Sequence, residues 1–227
     1  VQSAATLNLT ITGMYLTRAT AAFDGTTRLV AGRDAYLRVF VVANQTNTAT
    51  PTVRVRWYSG GTLVQTSTTT GPPAGVPTSV NESSLASSWN LPVPASLVQP
   101  NLGVLADVDP GNTTSETDEG DNSLPTSGTP RPVDVRTVPT WTVRLVPVLQ
   151  SVNGLQGNVT GGNLASFLSS SLKMLPVAGY SADVRAVYTT NAPVLQSNNG
   201  NSAWGTVLAR SSPSRTPRPA IATTMAW

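Results

Sequence analysis

Apolar and polar positions alternate from the start of the chain. In LNLTITGMYL, residues 7–16, Leu7, Leu9 and Ile11 take turns with Asn8, Thr10 and Thr12, the two-residue period of a strand with one buried face. Residues 28–44 break at Ala31-Gly32-Arg33-Asp34 and resume with Leu37, Val39 and Val41 facing opposite Arg38, Phe40 and Val42, so both faces of this strand are expected to be covered. Residues 52–70 set Val53, Val55 and Trp57 against Arg54, Arg56 and Tyr58, then turn at Ser59-Gly60-Gly61. Paired glycines between alternating runs predict a hairpin, because primed turns need positive φ. The proline-rich stretch 71–77 is a loop, since proline removes ladder donors.

Further strands are expected at Trp89 to Val93, at residues 102–110, and from Ser123 towards Val135. Short strands at regular spacing with turn residues between them predict an immunoglobulin-like β-sandwich over residues 1–135. The period then changes. Residues 141–150 alternate, Leu164, Phe167, Leu168, Leu172 and Leu175 follow the spacing of one helix face, and residues 181–190 alternate again. Residues 160–163 offer caps and Pro176 a stop. A second short helix is expected around Trp204, Val207 and Leu208. The fold class is thus mainly β, a sandwich followed by a smaller α+β region of strand, helix and strand at 136–208, with the joint at 130–139 and a Pro/Arg-rich C-terminal tail at 209–227.

The run LADVDPGNTTSETDEGDNSLP closes a strand on Val-Asp-Pro and leads through an E-x-x-E-x-x-N element, Glu116, Glu119 and Asn122, into the next strand. With AGRDAYLRVFVVAN and RVRWYSGGTLV before it, this resembles the bacterial cell-adhesion-related immunoglobulin-like domain over about residues 7–135. The resemblance implies a repeated, non-catalytic module of secreted surface proteins. The block from Trp141 into the helix also resembles the non-catalytic front of large secreted bacterial metallopeptidases, whose zinc-binding H-E-x-x-H helix has no counterpart here.

Composition narrows the chemistry. The chain has 227 residues with no Cys and no His, which excludes disulfides, Cys/His zinc sites and any nucleophile activated by His. Charged residues make up 11%, against about 25% in an average soluble domain, and Ser and Thr fill about a quarter. That balance, with Lys173 as the one lysine among thirteen arginines, fits an extracellular bacterial protein, secreted or held at the cell surface. Residues 1–10 lack the layout of a signal peptide, so the chain reads as mature, and no apolar run reaches the length of a membrane span. The net charge of +3 comes without a basic stripe interleaved with aromatics, and nucleic acid is not an expected partner.

Between residues 107 and 121 every charge is negative: Asp107, Asp109, Glu116, Asp118, Glu119 and Asp121. Such a set is a candidate calcium site, since hard cations take six to eight oxygens. The spacing departs from an EF-hand, with Asn112 at the glycine position and Asp118 at the twelfth. The reading preferred on these residues is a solvated acidic turn with Asp109 and Asn122 capping strand ends. Asp118-Glu119 is a poor glycosidase pair, and Lys173 is the sole amine base for a Ser-Lys dyad. Sequons at Asn8, Asn44, Asn81, Asn112 and Asn158 are candidate glycosylation sites. The tail has little means of folding alone. Its Arg210, Arg215 and Arg218, with Trp227 as an anchor, are candidates for docking on the acidic loop of a neighbouring copy, a heterologous contact that would propagate as a filament.

The sequence thus predicts a non-enzymatic extracellular structural or adhesion module, self-associating head to tail and free of any cofactor, with a surface glycan or protein as ligand. The alternatives are a catalytically incomplete fragment of a secreted zinc metallopeptidase and a calcium-dependent carbohydrate-binding module.

Overall fold

The computed structural model describes residues 5–18, 28–194 and 202–211. In chain order the strands are β1 (Leu9–Thr17), β2 (Leu29–Val30), β3 (Ala35–Ala43), β4 (Thr52–Ser59), β5 (Thr62–Thr70), β6 (Trp89–Val93), β7 (Leu102–Val108), β8 (Ser123–Leu124), β9 (Arg131–Pro132), β10 (Val135–Arg136), β11 (Trp141–Leu145), β12 (Val148–Gln150), β13 (Tyr180–Val184) and β14 (Tyr188–Thr190). Helix α1 (Leu164–Met174) precedes β13, and α2 (Ser202–Ser211) follows β14. The chain divides into two compact units, Val1–Trp141 with Ser170–Tyr180, and Thr142–Ser169 with Ser181–Trp227.

The first unit is an immunoglobulin-like sandwich of two sheets, ordered β1-β3-β6 and β5-β4-β7-β8, with β9 also paired to β7. The alternation in β4 explains its place. Val53, Val55 and Trp57 are buried while Arg54, Arg56 and Tyr58 lie on the opposite face. The inward set packs with Leu9, Ile11, Leu37, Val39, Val41, Trp89, Val104 and Ala106 into one core. Both tryptophans keep their indole N–H paired inside it, Trp57 to Ser67 Oγ at 3.1 Å and Trp89 to the Pro51 carbonyl at 3.0 Å. Gly71 is dictated by that packing, because a Cβ there would stand 2.3 Å from the Trp89 ring. The hairpin between β4 and β5 turns on Gly60 and Gly61 at φ 54° and 86°, the conformation that favours glycine.

The covered second face of β3 holds a buried arginine. Arg38 is 7% exposed and spends its donors without a carboxylate. Nε and Nη2 bond Ser88 Oγ at 3.1 and 2.9 Å, Nη1 bonds Tyr15 Oη at 3.1 Å and the Glu82 carbonyl at 2.8 Å, and Nη2 also bonds the Ser84 carbonyl at 2.8 Å. Its guanidinium lies 4.8 Å from the Phe40 ring centroid, so a cation–π contact adds to the hydrogen bonds that offset its burial. This arginine ties the 82–88 loop to the outside of the sheet.

The segment 130–139, expected as the joint, contributes β9 to the second sheet and β10 to a parallel pair with β2, Val135 opposite Leu29. Compact packing of the first unit runs on to Trp141. In the second unit β12 and β14 pair in parallel, Val148 opposite Tyr188, and Arg144 meets Asp183 at 2.6 Å.

The structure corrects the expected helix face. In α1 Leu164 and Leu168 are buried, Leu172 is half-buried and Phe167 is 53% exposed. Leu164 and Leu168 lie one turn apart and define the stripe, whereas Phe167 and Leu172 fall on its two flanks. In α2 Val207 is buried and Leu208 exposed. The helix takes residues 209–211 from the expected tail. Residues 212–227, with Arg215, Arg218 and Trp227, lie outside the described residues, as does the Arg210 side chain.

Candidate functional site

The acidic loop between β7 and β8 is where the sequence concentrates its charge, and the structure uses almost every carboxylate of it on the fold. Asp107 is 5% exposed on β7. Opposite it on β4, Arg54 Nε approaches Oδ2 at 3.2 Å, while Arg56 donates from Nε at 3.1 Å and from Nη2 to Oδ1 at 2.6 Å. Ser123 of β8 donates to the same Oδ1 at 2.8 Å. Strand pairing dictates this triad, because Asp107 is the direct partner of Arg54 in the ladder and Arg56 is two residues along on the same face.

Asp109 sits at φ 43°, a left-handed position that Asp tolerates. It caps the turn after β7, accepting from Thr113 Oγ1 at 2.7 Å and from the Thr114 N–H at 2.6 Å. Burial pushes its carboxyl up, and the donors of Thr114 and Thr113 outweigh that effect, holding it below the ordinary value.

The E-x-x-E-x-x-N element closes on itself. Asn122, 8% exposed, donates its amide to Glu116 Oε1 at 3.2 Å and to Glu119 Oε2 at 3.0 Å. The other oxygen of Glu116 accepts the Leu9 N–H at 2.7 Å, and the Thr117 N–H donates to the Leu7 carbonyl at 2.8 Å. Burial pushes the Glu116 carboxyl up. The Leu9 N–H and Asn122 oppose that push, and the charges of Glu119 and Asp109 reinforce it. Asp121 Oδ2 accepts from Asn8 Nδ2 at 3.0 Å and Thr10 Oγ1 at 2.8 Å. Asn8 Oδ1 in turn accepts from Thr117 Oγ1 and the Asp118 N–H, each at 2.9 Å. The loop is therefore a latch on the free edge of β1. It satisfies the Leu9 N–H and the Leu7 carbonyl at the start of that edge and joins one sheet of the sandwich to the other.

The six acids proposed as calcium ligands are not drawn together. Asp107 faces the arginines, Asp109 its own turn, Glu116 and Asp121 the β1 edge, Asp118 the Gly120 N–H, and Glu119 the Asn122 amide. Among the described residues no three acidic side chains are grouped to hold a metal ion. Two oxygens of the latch, Asp121 Oδ1 and Asn122 Oδ1, are buried and accept no hydrogen bond. Lys173 is exposed near the end of α1.

The sequons separate by their surroundings. Asn8 is half-buried with its whole amide engaged. Asn44 accepts the Asn8 N–H and donates to the Thr6 carbonyl. Asn81 is exposed and uses only its oxygen, on Ser83. Asn112, at φ 49° in the turn after Asp109, and Asn158 are exposed. The sequence pattern singled out the E-x-x-E-x-x-N element, but not its partners on β1. It placed Arg38 on a face expected to be covered, but not the 82–88 loop and Tyr15 that pair with it.

No family model matches the chain, and no curated protein does. Among solved structures, one that it resembles is the CARDB domain of a Pyrococcus furiosus protein, crystallised in complex with di-metal ions. The two are 19% identical with a TM-score of 0.33, and the likeness covers 60% of this chain and 99% of that domain. Among the described residues no helix is long and apolar enough to cross a membrane.

Proposed function

We propose that this chain is a non-enzymatic extracellular module with a structural or adhesive role. The observation that carries the reading is the latch. The most conspicuous polar motif of the sequence serves to clamp β1 and to brace one sheet on the other, as Glu116 does on Leu9 and Asp121 on Asn8 and Thr10. A sequence without His or Cys supplies no imidazole general base and no thiol nucleophile. Low charge and abundant hydroxyls suit a surface exposed outside the cell.

Antibody against the purified chain is expected to label intact, unpermeabilised producing cells or their medium, and purified protein to read background in protease, esterase and glycosidase screens. Labelling confined to permeabilised cells, or turnover abolished by a single substitution, would overturn the reading. The reading includes association between copies. With most carboxylates of the acidic loop engaged internally, that loop is a weaker receptor for Arg210, Arg215 and Arg218 than its charge suggests. Deletion of residues 212–227, which spares α2, measures what the tail contributes.

A further inference from the structure

The edges of the sandwich are protected unequally. The free edge of β1 is latched by the acidic loop. Strand β6 is five residues long and carries Pro92, and β8 and β9 are two residues each. These are the devices by which sheet proteins blunt their edges. Strand β5 is different. It is nine residues long, pairs among the described residues only with β4, contains no charge, proline or glycine, and is exposed or half-exposed throughout. Apart from its ladder to β4, the contacts of its backbone are confined to its end, where the Thr70 carbonyl accepts from Thr69 Oγ1 at 3.4 Å and that hydroxyl also reaches the Asn90 carbonyl of β6 at 3.2 Å.

One irregularity divides the strand. The register passes from Trp57 opposite Gln65 to Tyr58 opposite Leu63, so Val64 is an extra residue that bulges β5 near the hairpin. From Gln65 to Thr70 the ladder is regular, and the sequence is Gln-Thr-Ser-Thr-Thr-Thr. β-Branched Thr suits an extended pleated strand.

We propose that the β5 edge is a homotypic docking site, at which Gln65–Thr70 of two copies pair antiparallel and join their sheets into one. This rests on the self-associating module reading and gives it a surface distinct from the tail. Two observations favour a second copy over a foreign strand. An uncharged strand meets its own copy without like-charge repulsion, and Thr and Ser pair favourably across strands. Recognition of a foreign strand draws its specificity from pockets for alternate side chains. Two clefts beside this sheet lie around Tyr58 at the bulged end, the one of about 220 Å³ reaching Val64, Leu97 and Pro100, and neither is lined by Gln65–Thr70. The contact is isologous, so by itself it closes as a dimer.

Charge substitution on the full chain tests this, with sedimentation as the readout. Thr66 and Thr68 are exposed on β5, opposite Arg56 and Arg54. Thr66→Glu with Thr68→Glu, and Thr66→Lys with Thr68→Lys, should each abolish the dimer while leaving the circular dichroism spectrum unchanged. Mixing the Glu and Lys variants should restore it, because opposite charges then face each other. Deletion of residues 212–227 should leave the β5 dimer intact, which separates this proposal from the tail reading. The natural chain also lacks cysteine, so single Ser67→Cys and Thr68→Cys variants report proximity cleanly, and position-dependent disulfide dimers are expected. A natural chain that stays monomeric at high concentration would overturn the proposal. So would charge variants that still dimerise, or a Glu variant that associates more strongly than the natural chain through the Arg-rich tail.

Discussion

Glu116 accepts the backbone N–H of Leu9 at 2.7 Å across 107 residues of sequence. Leu9 is fully buried, so this N–H has no water to turn to, and the carboxylate is its partner at the edge of the sheet. Glu116→Ala removes that acceptor and one partner of the Asn122 amide, and should cost about 1–3 kcal/mol, the penalty for a buried donor left unpaired. Chemical denaturation measures it. A loss no larger than that of an exposed-site control such as Asp118→Ala would place the latch outside the energetics of the fold.

The same carboxyl gives a pH signature. Burial raises it above its ordinary value of 4.5, so the native protein holds this proton to a higher pH than the unfolded chain does. Its contribution to stability is greatest below that value and declines as pH rises through the folded value. Glu116→Gln abolishes the titration while keeping an oxygen for Leu9. The stability of the natural protein minus that of E116Q is therefore expected to fall as pH rises above 4.5. A flat difference would show that Glu116 titrates as it does in the unfolded chain, and a rising one that its carboxyl is lowered, either of which would contradict the effect of burial.

Arg38 tests the outer face of the other sheet. Arg38→Met keeps bulk over Phe40 but leaves the Tyr15 and Ser88 hydroxyls and the Glu82 and Ser84 carbonyls without their donor, with an expected loss of about 1–3 kcal/mol. Arg38→Lys should lose a similar amount, because an ammonium cannot reproduce the planar fork. Full recovery by lysine would mean that charge alone suffices.

In α1, Leu168→Ala should cost about 2–5 kcal/mol as a buried large-to-small change. Phe167→Ala, on the exposed flank, should stay within about 0.5 kcal/mol. Thermal unfolding of the two variants side by side reads this contrast, and equal losses would mean that Phe167 is covered in solution.

Expressed in a glycosylating host, the chain should carry glycans at Asn81, Asn112 and Asn158, which are exposed, and none at Asn8, whose amide is committed to Asp121, Thr117 and Asp118. Peptide mass spectrometry resolves each site. Occupancy of Asn8 in folded protein would contradict the latch geometry.

Local pattern made much of this fold legible. Alternation in β4 gave Val53, Val55 and Trp57 as core, the Gly60-Gly61 pair gave the hairpin, and the period change gave α1. What stayed hidden depends on distant partners. Alternation predicted a covered face at Arg38, but the 82–88 loop that covers it is remote in sequence and could not be read. Strands β2, β8, β9 and β10 are two residues each, too short to carry a period, so the one strand expected from Ser123 towards Val135 is instead three short ones, β8 and β9 paired with β7 and β10 with β2. The acidic run was visible as charge. Its division into an arginine clamp, a turn cap and an edge latch follows from register, which composition does not encode.

The acidic element serves the fold, and calcium dependence of the melting temperature tests this most directly. Two buried oxygens of the loop, Asp121 Oδ1 and Asn122 Oδ1, have no hydrogen-bond donor. A site filled at a hundred times its Kd would add about 2.7 kcal/mol of stability. The account expects the full chain to melt at the same temperature in calcium as in chelator. A calcium-specific rise that disappears in Asp121→Asn would contradict it and make the loop a metal site.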